Sequence, residues 1–299
     1  MQIKRVRRPI NGVLLLDKPL GYSSNQAVQK IKWLYQAAKA GHTGTLDPLA
    51  TGLLPICLGE ATKFAQVLTD ADKTYIATIK LGVTTTTADA EGEVVSVKPV
   101  RVSPDQFDAV CRQYIGEISQ VPPMHSALKV DGKPMYEYAR AGQEVERKPR
   151  QVKIHAIERL MFDCDVTQIE VTCSKGTYIR TLAEDIGNSL GCGAHLAGLR
   201  RTATAGYSIS QAVTIEALEG MDFAARDACL LSVDSAIADL AKVTLDMDAA
   251  YYLLQGQAVW VSGQIPVGDL RLYDANGRFL GLGYRLSNGR IAPKRLLVL

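Results

Sequence analysis

The residue with the clearest chemical potential in this sequence is Asp47, in the stretch AGHTGTLDPLATGLL, residues 40–54. It is the only residue of that stretch with a full charge at neutral pH. The proline after it biases Asp47 to extended backbone geometry and prevents a helix from simply running through. Glycines at 41, 44 and 52 permit close approach of another backbone or a ligand. Thr43, Thr45 and Thr51 add hydroxyls without charge. A carboxylate held in such a small-residue cleft needs a cation from elsewhere or a raised pKa. At this level two readings stand side by side: a reactive carboxylate, and an Asx-type turn in which Asp47 bonds its own backbone.

Other chemistries lose their support. GHTGTLD fails the phosphate-loop pattern at the lysine, GCGAHL and GLGYRL fail the dinucleotide fingerprint at the third glycine, and no G-x-S-x-G occurs. The six cysteines form no C-x-x-C pair, and the four histidines lie 30 or more residues apart. No metal site follows from those spacings, and the thiols read as reduced, mostly buried side chains.

The elements that must position Asp47 are legible in outline. NGVLLLDKP reads as a short buried strand closed by a turn. Ser23 or Ser24 can cap a helix running to about Lys39, with Ala27, Val28, Ile31, Leu34, Tyr35 and Ala38 on one stripe. After the Asp47 loop, LLPICLG looks like a buried strand, EATKFAQVL a helix, and KTYIATIKLG an alternating strand. SPDQFDAVCRQYIG opens with Ser103 as N-cap, Pro104 at the first helical position and Gln106 at the capping-box position. VKIHAIERLMF and VTQIEVTCS read as strands, and KGTYIRTLAEDIGNSLG as an amphipathic helix with Arg180 near its start and off the apolar side. The fold class is α+β around a mixed or antiparallel central sheet, because the strands lack regular β-α-β spacing.

Two segments stand apart. Residues 122–153 mix Gly and Pro with Met124, Met135, Tyr136 and Tyr138, and carry seven basic residues against four acids. They read as a mobile, partly helical insertion that touches a ligand. From about 249 the texture changes to short β segments (AVWVSG, LRLYDANGRFLGLGYRL, GRIAPKRLLVL) with a hairpin turn at ANGR. A boundary near 248 therefore divides residues 1–248 from a small β-rich unit, 249–299.

The net charge of +3 conceals segregation. Lys4, Arg5, Arg7 and Arg8 open the chain, and Arg278, Arg285, Arg290, Lys294 and Arg295 lie near its end, both without acids. Between 213 and 248, eight acids face only Arg226 and Lys242. Basic ends around an acidic stretch point to a polyanion held by specific surfaces, with solvated faces as the plain alternative. No apolar run approaches the roughly 18–20 residues that span a bilayer. The apolar run Gly12–Leu16 is too short for a signal-peptide core, so the expected location is the cytoplasm.

The motifs, taken together, resemble those of the TruB family of tRNA pseudouridine synthases. GHTGTLDPLATGLLPICLGEATK is similar to the family's aspartate signature, and NGVLLLDKPLGYSSN to its N-terminal motif. CSKGTYIRTLAEDIG and GCGAHLAGLRRTATAGYSI resemble its later motifs, and MHSALKVDGKPMYEYAR its RNA-gripping insertion. The β-rich tail occupies the place of the family's PUA-type RNA-binding domain. The resemblance implies a catalytic Asp47 that attacks the target nucleoside, uridine 55 of the tRNA T loop, so that uracil detaches through N1, rotates and rejoins through C5. It implies Arg180 as the cation paired with Asp47, keeping it ionised. Tyr75 would stack on the flipped base, Tyr178 and Leu199 would line the pocket, His42 would fill the space the nucleotide leaves, and Lys18 with Pro19 would shape the cleft floor. No metal or redox cofactor, guide RNA or obligatory protein partner is implied, and a monomer is expected. The sequence departs mildly from the family pattern at Ser23 and at Thr86, where an acid is common, while Asp89 and Gly92 fit. A tRNA-holding or tRNA-folding module with secondary catalysis is the alternative function, and the set of Asp47, Tyr75 and Arg180 favours the enzyme.

Overall fold

The computed structural model describes residues 7–126 and 128–298; Lys4 and Arg5 of the basic N-terminal cluster lie outside them. The chain opens with β1 (Gly12–Lys18), α1 (Ser24–Leu34), β2 (Ala40–His42) and β3 (Ala50–Leu58). After a 3-10 turn come α2 (Ala65–Asp70), β4 (Lys73–Leu81), β5 (Val83–Thr85), β6 (Val94–Val97), α3 (Pro104–Gln113) and β7 (Gly116–Gln120). The insertion holds β8 (Lys129–Val130), β9 (Lys133–Pro134) and α4 (Met135–Arg140). β10 (Arg150–Asp163), β11 (Val166–Cys173), α5 (Ile179–Ser189), β12 (Ala194–Thr204), β13 (Tyr207–Ser208), α6 (Ile215–Glu219), α7 (Phe223–Ala228) and β14 (Leu230–Leu231) follow. β15 (Ala241–Thr244), α8 (Met247–Leu254), β16 (Asp269–Tyr273), β17 (Phe279–Arg285) and β18 (Ile291–Leu296) complete it.

The large sheet runs β14-β1-β3-β12-β4-β11-β10-β7, with β2 on β3 and β13 on β12. It is mixed, because β12 lies parallel to β3 and antiparallel to β4. Its centre is buried on both faces at β3, whose residues after Thr51 are all buried, whereas β4 alternates strictly between buried and half-buried positions. That pattern follows from what covers each strand: α1 and α5 pack one face through Ile31, Leu34, Leu182 and Ile186. The opposite face packs a second cluster around Phe64, Leu68 and Tyr207.

Local signals explain the helix starts. Ser23 and Ser103 each form a full capping box with the glutamine three residues on. α1 ends at Leu34 rather than near Lys39, because Gln36 adopts φ 51° and the chain turns into β2. EATKFAQVL begins as a 3-10 turn, Gly59–Phe64, and only then becomes α-helical. The last residues expected in the insertion belong instead to β10, which starts at Arg150.

The C-terminal sheet runs β15-β16-β17-β18. Its first strand precedes residue 248, and Asp246 caps a helix, α8, where a β texture was expected. AVWVSG forms no regular strand; it contributes only a bridge, Val259 to Ile291. The ANGR turn is a hairpin, with the Asp274 carboxylate accepting from the backbone of Asn276 and Arg278, and with Gly277 at φ 80°. This unit is docked: the Phe64 and Phe279 rings lie 5.8 Å apart, Lys63 Nζ donates to Leu296 O and Arg295 donates to Lys63 O.

Candidate active site

Asp47 sits in the loop between β2 and β3. The Ala50 amide donates to Asp47 O at 3.0 Å, closing a turn with Pro48 in its second position. Ser24, at the start of α1, braces the loop from behind: its Oγ accepts from Leu46 N at 2.8 Å and donates to Leu46 O at 2.9 Å. The Asp47 side chain stays 42 % exposed, so its carboxylate is reachable from solvent. It is not spent on its own turn; Oδ2 meets Arg180 Nη2 at 3.1 Å.

Arg180 is buried, not on the solvent side of α5 as the apolar stripe suggested. Its position in the first turn of the helix aims the guanidinium along the helix end, where three groups converge. Besides Asp47 it meets Asp89 Oδ2 at 3.2 Å and donates to His125 O at 2.7 Å. One cation thus serves two carboxylates and the base of the insertion. Asp89 is itself buried, with Oδ1 taken by the Thr87 hydroxyl and the Glu91 amide, which leaves Oδ2 for Arg180.

The electrostatic consequence differs from the expectation that arginine simply keeps Asp47 ionised. Burial pushes the Asp47 carboxyl up from its usual range, Arg180 opposes the rise, and the Asp89 charge adds to it. A shared arginine gives each carboxylate less than a full counter-charge.

The other expected residues surround this pair. Lys18, at the end of β1, is fully buried; its Nζ donates to Pro19 O and Tyr22 O, and burial lowers its pKa to about 8 while the Asp47 charge opposes the fall. Tyr75 on β4 is buried, and burial raises its phenol pKa, with Asp47 adding to the rise. Tyr178, the N-cap of α5, is fixed by the Gln120 side chain, which accepts from its amide at 3.0 Å and donates to its carbonyl at 3.3 Å. Leu199 lies opposite Ala77 of β4 and two residues before Arg201, which lies opposite Tyr75; Leu199, Arg201 and Tyr75 therefore share one sheet face. His42 lies on β2, its Nδ1 buried without a partner and its pKa lowered by burial and by the Arg201 charge.

So the structure gathers Asp47, Arg180, Lys18, Tyr75 and Tyr178 about one cleft, with Leu199 on the Tyr75 face and His42 at its β2 edge. Sequence reasoning missed Asp89 as a second partner of Arg180, Gln120 as the clamp on Tyr178, and Arg201. Asp89 and Arg180 are 91 residues apart, so no local spacing signals the pair. Arg201 stands beside Arg200 in the sequence, but Arg200 pairs with Asp17 whereas Arg201 is buried.

Comparison with known proteins gives this architecture its class, a pseudouridine synthase catalytic fold. Residues 32–179 match the TruB family pseudouridylate synthase N-terminal domain. Residues 180–250 match the tRNA pseudouridylate synthase B C-terminal domain, and 241–297 the pseudouridine synthase II TruB C-terminal region. The chain is 62 % identical over 297 residues to a tRNA pseudouridine synthase B of Methylobacillus flagellatus, covering 99 % of this chain and 98 % of that one. It is 54 % identical over 300 residues to the protein of the same name from Stutzerimonas stutzeri, covering 99 % and 98 %. A solved structure, a Cbf5-Nop10-Gar1 complex, holds a similar chain with TM-score 0.71 and 27 % identity, covering 96 % of this chain and 84 % of that one. The chain belongs to the TruB family of pseudouridine synthases.

Proposed function

We propose that this enzyme converts uridine 55 in the T loop of tRNA to pseudouridine, acting as a monomer in the cytoplasm without guide RNA or cofactor. The observation that carries the reading is the half-exposed Asp47 carboxylate held by a buried arginine. Asp47 is the nucleophile on the target nucleoside. Asp47 bonds to the nucleoside, the bond between ribose C1′ and N1 breaks, the uracil rotates, a bond from C1′ to C5 forms, the bond to Asp47 breaks to restore its carboxylate, and the C5 proton leaves as N1 takes one up. Atoms and charge balance with no oxidant or metal.

Each neighbour has a part. Arg180 aims Asp47 and tempers the cost of its burial. Tyr75 and Leu199 offer a flat ring and an apolar side chain to a base taken out of its stack. Tyr178 closes the wall nearest the insertion, Lys18 supports the floor beneath Asp47, and His42, kept neutral by its depressed pKa, fills the edge. The insertion grips the T arm through its basic residues; Met135 is buried within it and serves packing instead. We place the catalytic unit before Ala241 and the PUA-like RNA-holding unit from Ala241 onward.

The test is an unmodified T-arm stem-loop incubated with the protein alone and mapped base by base. Product at one uridine is expected, and Asp47→Asn should abolish it while leaving RNA affinity within about three-fold. Turnover by Asp47→Asn would remove the nucleophile assignment.

A further inference from the structure

Arg201 is among the largest fully buried side chains, only 1 % exposed, and among the described residues no carboxylate lies within ion-pairing distance of it. Burying a cation without a counter-charge is costly. A neutral side chain of similar length would fill the space at lower cost, so the guanidinium must do something that shape alone does not.

Its position says what. On β12, Arg201 is in register with Gly52 of β3 and Tyr75 of β4, so its backbone is fixed between two elements of the cleft. Gly52 adopts φ 98°, and a Cβ there would stand 2.3 Å from Arg201 O; glycine is what lets β12 come this close. From that anchor the side chain reaches under the Asp47 loop. Nε donates to Leu53 O at 2.7 Å and Nη2 donates to Gly44 O at 3.3 Å. The fork therefore ties the loop on both sides of Asp47. A lysine ammonium can face two carbonyls, as Lys18 does, but it lacks the rigid planar fork that fixes Nε and Nη2 on Leu53 O and Gly44 O together. Burial lowers the pKa values of His42, Lys18 and Lys73, and the Arg201 charge adds to each fall.

We propose that Arg201 is a positioning residue for the isomerisation, a fork that clamps Gly44 and Leu53 so that Asp47 is held against Arg180 and beside Tyr75. It does not touch the reacting atoms. The proposal rests on the Asp47 reading above.

The test separates binding from chemistry. Single-turnover rates on saturating T-arm RNA and the RNA dissociation constant are measured for Arg201→Met, Arg201→Lys and Gly44→Ala, with folding checked by circular dichroism. Displacing a reacting group by about 1 Å can cost roughly 100-fold in rate. Arg201→Met should fall by about that factor with RNA affinity within about three-fold, and Arg201→Lys should recover only part of it. Gly44→Ala keeps Arg201 but disturbs its acceptor, since Gly44 stands at φ 99°; it should show the same split, which keeps the idea testable if an Arg201 variant fails to fold. Folded variants with wild-type single-turnover rates, or rate losses matched by equal losses of affinity, would overturn it. If Asp47→Asn is inert while all three variants turn over normally, this inference alone fails; if Asp47→Asn turns over, the functional reading fails first.

Discussion

Arg180 bridges Asp47 at 3.1 Å and Asp89 at 3.2 Å, so its removal leaves two carboxylates in a poorly hydrated site. Breaking a buried pair by deleting one partner costs about 3–5 kcal/mol. Arg180→Met should therefore lower unfolding stability by about 3 kcal/mol in urea titrations, toward the bottom of that range because Asp47 is partly hydrated, and should abolish product. Arg180→Lys should retain more stability than activity, because one ammonium cannot face both acids and His125 O. Lys18 gives a pH-dependent case. Its folded pKa of about 8 lies below the ordinary lysine value, so folding disfavours its charged form. That penalty is full below pH 8 and fades as pH rises toward the unfolded value, so the contribution of Lys18 to stability should rise over that window. Lys18→Met should lose part of the gain, while Lys73, also near 8, keeps the rest. Unfolding curves from pH 7 to 10 check this; an unchanged slope in the variant would contradict it.

At the scale of elements, α5 matters most, because its first turn carries Arg180 and its N-cap is Tyr178. The same helix holds Asp185, which burial and the neighbouring Glu184 push up to about 6. A raised carboxyl pKa means that stability is fully present below the unfolded value and is lost as pH rises through about 6. Asp185→Asn should remove that loss, so the variant should melt above the wild type at pH 7 and converge with it near pH 4. Scanning calorimetry at the two pH values reads the difference. Helix starts were the most legible elements, since a cap acts over residues three apart: the expected box at Ser103 is present, and Ser23, one of the two residues expected to cap α1, forms a box with Gln26 as well. The end of α1 and the 3-10 start after β3 were not legible, because tertiary contacts rather than propensity set them. The burial of Arg180 was misread for a related reason: an apolar stripe reports where hydrophobic residues point, not where a long cation reaches from the helix end.

At the scale of the whole molecule, the C-terminal sheet is fastened to the catalytic unit by Phe279, which lies between Phe64 at 5.8 Å and Tyr273 at 5.3 Å. Phe279→Ala should cost about 3 kcal/mol as a large-to-small core change. It should weaken RNA binding more than it slows chemistry on bound RNA, because Asp47 and its partners lie on other elements. Equal losses in both would mean that the sheet shapes the cleft directly. A truncation should cut before Ala241, since a cut at 248 strands β15 without its partner β16.

The Asp47 loop, most of the longer strands, the starts of α1 and α3 and the family motifs were legible in the sequence alone, because turn chemistry, capping and periodicity act over a few residues. The counter-charge to Asp47 could be named only by resemblance, and Asp89, Gln120 and Arg201 not at all as site residues. Those roles depend on contacts between positions 58 to 157 residues apart. The mixed sheet creates them by laying β12 between β3 and β4, and α5 starts beside Asp47. Long-range register decides which buried charges share a site, and no local spacing encodes it.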